Sequence, residues 1–407
     1  LPLVSAVDVS LYRQGAPISS YKVGPRCYFW TGKMSPKLLW LDSEWEYPKP
    51  EETLNITIQT KSFQSEFDLR TYDPEGVLFH GDTHNGSHWI VFGLRNGQPE
   101  LQINNDYSQI ALSFGEKIND GQWHRLVLRS EKSRILLLVD GKSVLNITIL
   151  PNVGLEDEII RLRIAVGGLL FNSTQLLIPF RHPLDACIRD WEWVKSNTSQ
   201  IQRQLERNPH RQCFEEVTRG SYFAGRGAAV FRGGDFLGKA EKQRGWTFGV
   251  KLGFRSTNEY GFLVGILSTD HNPLLRLEIT HQPQMGLLLT VGSQTLFLPT
   301  YRPLCEWGFV SLNVSEYGLE LKLNDELVSG PVSAQNYQLI RQAWLTSDTL
   351  IFLGSLPSTP RLLEVGWSGF VGCMKDILVQ EKVMDFDNVL FKHKSIKSHS
   401  CPSDRPN

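Results

Sequence analysis

Asp73 and Glu75 stand two residues apart in the string R-T-Y-D-P-E-G. Two carboxylates on one tight turn offer the hard oxygen ligands that a divalent cation such as calcium takes, although a solvated turn carries the same pair. Six Asn-X-Ser/Thr sites, at Asn55, Asn85, Asn146, Asn172, Asn197 and Asn313, are acceptors for N-linked sugar, which is added only in the secretory pathway. Six cysteines fit the oxidising compartment which that pathway implies, and spacing alone leaves 15 pairings open. Catalysis finds no comparable pattern. Gly-x-Ser-x-Gly, His-Glu-x-x-His, Cys-x-x-Cys, a phosphate loop and a dinucleotide fingerprint are all missing, and the ten histidines are scattered. The expectation is a binding protein and not an enzyme.

The elements that would position these residues read as β. Phe67, Leu69 and Thr71 alternate ahead of Asp73-Pro74-Glu75-Gly76, where Pro and Gly sit as a type I turn wants them. The run Trp89 to Leu94 ends at Asn96-Gly97, whose tolerance of positive φ suits a tight hairpin, and Leu101 and Ile103 resume the period of two. Asn119-Asp120-Gly121 and Asp140-Gly141 punctuate further apolar runs up to IAVGGLLF at 164 to 171. This rhythm predicts an all-β chain. Residues 198 to 207, TSQIQRQLER, read as the one short helix, with Thr198 or Ser199 as its cap. Residues 1 to 50 read as an irregular arm packed on the first domain, because CYFW and LLWL carry too much apolar surface for a solvated tail.

Length and charge narrow the partners. A chain of 407 residues holds two domains with sizeable cores. Its 42 basic and 43 acidic residues nearly cancel, so no overall field favours nucleic acid or an anionic membrane. No apolar run reaches the 18 to 20 residues that span a bilayer, and residues 1 to 20 lack the apolar core of a signal peptide. The reading is a mature, secreted glycoprotein whose binding is local, without membrane insertion.

The second half repeats the first. Gly76-Val77-Leu78-Phe79 matches Gly261-Phe262-Leu263-Val264 at a separation of 185, Trp123 matches Trp307 at 184, and Gly167 matches Gly354 at 187. Cys187 matches Cys373 at 186, and Cys213 matches Cys401 at 188. So steady a separation means tandem copies of one fold, each closing its own core. The expected organisation is the arm at 1–50, a first domain at 51–213 and a second at 214–407. Corresponding positions suggest the bonds Cys187–Cys213 and Cys373–Cys401. Cys27 and Cys305 are left over, either as two buried thiols or as a pair.

Two strings, R-T-Y-D-P-E-G-V-L-F-H-G-D-T and W-I-V-F-G-L-R-N-G-Q-P-E-L-Q-I-N-N, closely resemble the steroid-contacting laminin G-like domain of the sex hormone-binding globulin family. The paired laminin G-like regions of vitamin K-dependent protein S and growth-arrest-specific protein six are the next nearest. The resemblance implies two tandem laminin G-like antiparallel β-sandwiches of jelly-roll type. It implies a homodimer formed through the first domain. It also implies a calcium site at Asp73 and Glu75, completed by a backbone carbonyl at the position of Pro183; the second copy offers Asn258 and Tyr260 there, and so no ion. From the protein S type of pair it implies the bond Cys27–Cys305, tying the arm to the second domain.

The family's steroid site maps onto the first copy residue by residue. A serine that meets one polar end of the steroid aligns with Ser65, and an asparagine that meets the other end aligns with Asn105. The family's aspartate aligns with His88, a departure that puts the preference at that end in question and makes affinity sensitive to pH, since histidine ordinarily titrates near ~6.5. The wall aligns with Phe79, Gly81, Ile90, Ile103, Tyr107, Leu128, Ser130 and Leu162. Without the resemblance these residues would read simply as core between two sheets. A histidine-rich zinc site of the family aligns with His88, Asp106 and Ile159 and is not carried over. In the second copy Val250, Pro273 and Thr290 stand where Ser65, His88 and Asn105 stand in the first, so steroid should not bind there in the same mode. The expected function is a secreted carrier that binds androgens or oestrogens reversibly. The alternative is a laminin G-like ligand of the protein S type, contacting a receptor tyrosine kinase or another extracellular protein.

Overall fold

The computed structural model describes residues 34–40, 52–58, 62–83, 88–105, 108–131, 134–148, 160–180, 184–192, 212–238, 245–268, 272–282, 284–301, 304–346, 349–356 and 369–403. Two compact units result, one formed by Gly32–Arg219 and the other containing Gly220–Asn407. Among the described residues nearly every regular element is a strand.

In the first unit thirteen strands make two sheets. They are β1 (Met34–Trp40), β2 (Glu52–Ile58), β3 (Ser62–Thr71), β4 (Gly76–Thr83), β5 (Trp89–Arg95), β6 (Gln98–Asn104), β7 (Gln109–Ser113), β8 (His124–Glu131), β9 (Arg134–Val139), β10 (Lys142–Thr148), β11 (Ile160–Val166), β12 (Ala186–Glu192) and β13 (Gln212–Phe214). One sheet runs β10-β9-β8-β3-β12-β1-β13 and the other β2-β11-β4-β5-β6-β7. Their alternating apolar residues meet in one core that includes Phe67, Leu69, Phe79, Phe92, Ile103 and Leu128. Burial of this kind, at about 25 cal/mol per Å², is the main force closing a sandwich. The hairpins turn where the sequence predicts: Asn96 and Gly97 take φ of 52° and 83°, and Asp140 and Gly141 take 51° and 77°.

One reading of the sequence changes, one falls on residues that are not described, and one element was not foreseen. Met34–Trp40, expected to be irregular, is a strand paired with β12 and β13. The helix expected at 198–207 lies outside the described residues. A helix that the sequence reading missed occupies Ala334–Leu345, where the Ser333 side chain accepts the Asn336 N–H and Tyr337, Ile340 and Trp344 are buried. The spacing of those three, at steps of three and four, is the signal that identifies it.

The second unit repeats the plan with two sheets and its own apolar core. The structure joins Cys187 to Cys213 and Cys373 to Cys401. Beside each bond lies the same stack of charges on an indole. Arg70 and Arg189 sit over Trp123, at 4.6 and 4.2 Å from its ring centroid. Arg255 and Lys375 sit over Trp307, at 4.8 and 4.2 Å. Cys305 is also disulfide-bonded; the expected pairing with Cys27 falls outside the described residues.

His124 opens β8 and clamps two turns, with Nδ1 2.8 Å from Asp140 Oδ2 and Nε2 3.1 Å from Asp120 Oδ1. Burial works against its charge, but the two carboxylates together hold its pKa above the ordinary histidine value. A pKa raised by folding gives stability that is present below the unfolded value and lost as pH rises through the folded one. Both carboxylates are about half exposed, so screening limits the contribution to roughly 0.5–1 kcal/mol. Thermal melts at rising pH above ~6.5 should show the first unit losing that increment, and His124→Gln should flatten the loss.

Candidate functional site

Ser65 lies on β3 directly opposite Leu128 of β8, which is opposite Leu137 of β9. It is 2 % exposed and shares its inward face with Phe67 and Leu69. A hydroxyl therefore interrupts a hydrocarbon row. Ser130, two residues from Leu128 on the same face, is half-buried and lies opposite Phe63 and Ile135.

The facing sheet carries a second row. Ile164, Gly81, Ile90, Ile103 and Ile110 are successive partners across β11, β4, β5, β6 and β7. Gly81 is the one residue of this row that has no side chain beyond hydrogen. Phe79 and Ile103 belong to the buried core, and Ile90 packs against it. Leu162 is placed by its backbone in β11, opposite Thr83. His88 is half-buried just ahead of β5, and Asn105 is half-buried one step beyond β6. The Asn105 Oδ1 accepts the Ser108 N–H at 2.7 Å, which folds this side chain over its own turn. Tyr107, Asp106, Ile159 and Pro183 lie outside the described residues.

The second unit is an internal control on both rows. Val250 lies opposite Leu312, the register position of Ser65 opposite Leu128. Ile266 lies between Ile351 and Leu275, the register position of Gly81 between Ile164 and Ile90. Where the first unit has serine and glycine, the second has valine and isoleucine. Register also corrects one sequence match. The hairpin linking Pro273–Thr280 to Gly286–Val291 has a longer loop than that linking β5 to β6, and Val291, partner of Leu275, corresponds to Ile103. The counterpart of Asn105 is thus Ser293 and not Thr290.

The acidic turn is tightly built. Asp73 is 1 % exposed, its Oδ1 accepts the Glu75 N–H at 3.0 Å and its Oδ2 accepts the Asp185 N–H at 2.8 Å. Thr71 Oγ1 donates to the Asp185 carbonyl and accepts the Asp73 N–H, which ties the turn to the start of β12. Glu75 Oε1 is 3.0 Å from Arg95 Nη1, and Arg95 Nε is 2.5 Å from buried Glu100. Burial alone would lower the Arg95 pKa, but Glu100 and Glu75 hold it above its ordinary value. The donor type, carboxylate oxygen on a rigid turn, fits calcium; an ion would share Glu75 with Arg95. The sequence reading found Asp73 and Glu75 but missed Asp185 and Arg95. Arg95 stands in L-R-N-G, within a string that carried the resemblance, and Asp185 in L-D-A-C, directly after Pro183.

The acceptor asparagines are variously presented. Asn146 on β10 and Asn172 are exposed, and Asn172 Oδ1 accepts both the N–H and the hydroxyl of Thr174, its own sequon threonine. Asn313 is half-buried on the strand Gly308–Ser315. Asn55 is placed by its backbone in β2, while Asn85 and Asn197 lie outside the described residues.

Laminin G domain models match residues 69–199 and 254–382. Sex hormone-binding globulin of Crocuta crocuta is 30 % identical over 357 residues, covering 85 % of this chain and 86 % of that protein. Growth arrest-specific protein 6 of Mus musculus is 28 % identical over 359 residues, covering 85 % of this chain and 53 % of that protein. The structure of mouse laminin alpha1 chain, domains LG4-5, superposes with a TM-score of 0.64 over 93 % of this chain and 99 % of that one at 16 % identity, a likeness of fold. No helix among the described residues is long and apolar enough to cross a membrane. With a laminin G match in each half and this identity over most of its length, the chain belongs to the tandem laminin G proteins of the sex hormone-binding globulin family.

Proposed function

We propose that this chain is a secreted carrier glycoprotein that binds sex steroids reversibly between the sheets of its first sandwich. The observation that carries the reading is the contrast between Ser65 with Gly81 and their register counterparts Val250 with Ile266. A polar contact and missing side-chain volume occur together in the copy whose sequence matches the family's steroid site. Ser65 and Asn105 would meet the two polar ends of the ligand, with Phe79, Ile90, Ile103 and Leu128 against its rings. Nanomolar affinity is about −12 kcal/mol. Two or three hydrogen bonds at ~1 kcal/mol net fall far short, so burial of the hydrocarbon frame must supply most of it. Titration of the intact chain with labelled dihydrotestosterone or oestradiol, at neutral pH with calcium present, tests this directly. Saturable, stoichiometric binding is expected, and its absence would remove the proposal.

Asp73 and Glu75 are assigned to a structural calcium ion in the same sandwich. Calcium at a hundred times its dissociation constant should stabilise the first unit by about 2.7 kcal/mol. Chelation reverses that gain, and Asp73→Asn should abolish the calcium-dependent part of the melting temperature. Dimerisation is assigned to the exposed edge of the six-stranded sheet, where β7 presents Leu112 at 42 % exposure.

A second reading, a receptor ligand of the protein S type, draws on Cys305. This cysteine has no counterpart in the first copy and yet is disulfide-bonded. A pull-down on a receptor tyrosine kinase ectodomain, run beside the steroid titration, separates the two.

A further inference from the structure

On the outer face of the second unit, the strands Phe248–Ser256, Gly308–Ser315 and Gly318–Leu323 lie side by side, flanked by Val371–Val379. Leu378, Lys251, Ser311, Lys322 and Leu327 are successive partners in one row across this face. In the next row Lys375, Gly253 and Phe309 are partners. A groove of about 430 Å³ opens here, floored by Gly253 and Ser311 and walled by Phe309, Lys251, Lys322 and Leu378. That volume lies in the range of small-ligand sites.

Phe309 is 49 % exposed, an unusual state for an aromatic side chain in the middle of a sheet. It is also held in place. A Cβ on Gly253 would meet its ring at 3.0 Å, and the Lys375 ammonium lies 5.3 Å from the ring centroid. A fixed aromatic face beside hydroxyl, amide and ammonium groups is the composition that receives a sugar ring, apolar on one face and hydroxylated at its edge. The charges do not favour a polyanion, since Lys251 is paired with Glu381 at 2.7 Å and Asp376 stands in the wall.

The sugar is already specified on this strand. Alternation turns Phe309, Ser311 and Asn313 outward together, and Asn313-Val314-Ser315 is an acceptor sequon. At about 3.4 Å per residue, Asn313 is roughly 7 Å from Ser311 and 14 Å from Phe309. The Asn313 amide is oriented: its Nδ2 donates to Glu320 Oε2 at 3.2 Å, and its Oδ1 would lie 3.2 Å from a Cβ on Gly249. A glycosylated asparagine retains one N–H, enough to keep the Glu320 contact. We infer that the groove is the seat of the chain's own N-linked glycan, the inner sugars from Asn313 running back over Ser311 to stack on Phe309.

The test uses the full chain secreted from glycosylating cells. Peptide N-glycanase is applied without denaturant, and the Asn-to-Asp mass change is followed site by site, with exposed Asn146 as reference. Release at Asn313 is expected to be at least about tenfold slower than at Asn146, a protection equivalent to about 1.4 kcal/mol. Phe309→Ala should raise the Asn313 rate about tenfold without changing Asn146. Phe309→Tyr, which keeps the aromatic face, should leave both rates as they are, and denaturation should equalise them. An Asn313 that carries no sugar, or one whose release equals that at Asn146, overturns the inference. So does a slow rate at Asn313 that Phe309→Ala leaves unchanged, because the protection would then belong to the asparagine's own burial.

Discussion

Gly81→Val is expected to abolish high-affinity steroid binding, by at least about 100-fold, while the protein remains folded. Every neighbour of Gly81 in its row is isoleucine, and the second unit accepts Ile266 at the matching position with no exposure at all. The fold therefore tolerates a branched side chain here, and the cost falls on the guest. Excluding a flat hydrocarbon from half its contact surface forfeits several kcal/mol at about 25 cal/mol per Å², against 1.4 kcal/mol for each factor of ten. Asn105→Ala, by contrast, removes one hydrogen bond of ~1 kcal/mol and should weaken binding about fivefold, with a change in preference among steroids. Competition against a labelled steroid, paired with a thermal melt of each variant, measures both. A Gly81→Val protein that binds within about threefold of the parent would show that the ligand does not lie against Gly81.

Arg70→Ala is expected to destabilise the first unit by roughly 3–5 kcal/mol. The Arg70 guanidinium is 5 % exposed and donates to the carbonyls of Phe214 and Glu215 at 2.5 and 2.6 Å, fastening the chain just past Cys213 to β3. Burial, and after it the charge on Arg189, push its pKa down to about 10, so it stays protonated at neutral pH. Truncation leaves two acceptors without their donor and removes one cation from the face of Trp123. Arg70→Lys should recover only part of the loss, since an ammonium is a point charge and cannot present the guanidinium fork to two carbonyls at once. Denaturant unfolding, following the first unit, should show the midpoint fall for both variants, further for alanine. Alanine at no cost beyond ~1 kcal/mol would mean that the disulfide alone holds this segment.

The fold was legible in the sequence because its signals are local and repeated. Asn96-Gly97 and Asp140-Gly141 announce their turns by residue type, and the separation of about 185 residues carries the landmark residues of one copy onto the other. The helix Ala334–Leu345 was overlooked because its apolar face is only three residues wide and its first turn, Ala334-Gln335-Asn336, carries no acidic residue. Of the candidate site, Ser65 and Asn105 were both read from the resemblance. Alternation along β3 fixes the face that Ser65 takes, whereas Asn105 sits beyond the last residue of β6, where hairpin length rather than periodicity sets the match to the second copy and so misassigned Thr290. Arg70 and Arg255 were invisible for a different reason. Charged residues in a strand pattern read as solvent-facing, and only three-dimensional neighbours show a guanidinium enclosed between an indole and backbone carbonyl oxygen, from Phe214 and Glu215 for Arg70 and from Pro402 for Arg255.

The charge-on-indole stacks also fix an order of events in the ancestry of this chain. Arg70 with Trp123 and Arg189, and Arg255 with Trp307 and Lys375, occupy equivalent places beside equivalent disulfides, and the strand that carries the first cysteine of each bond has one residue of positive φ at the same place, Asp190 with φ 48° and Asp376 with φ 50°. A shared apparatus of this detail was in place before a single ancestral domain was copied. Ser65 against Val250, Gly81 against Ile266 and Asp73 against Asn258 differ between the copies, so the two have diverged at these positions since they were copied, within a frame that both retain.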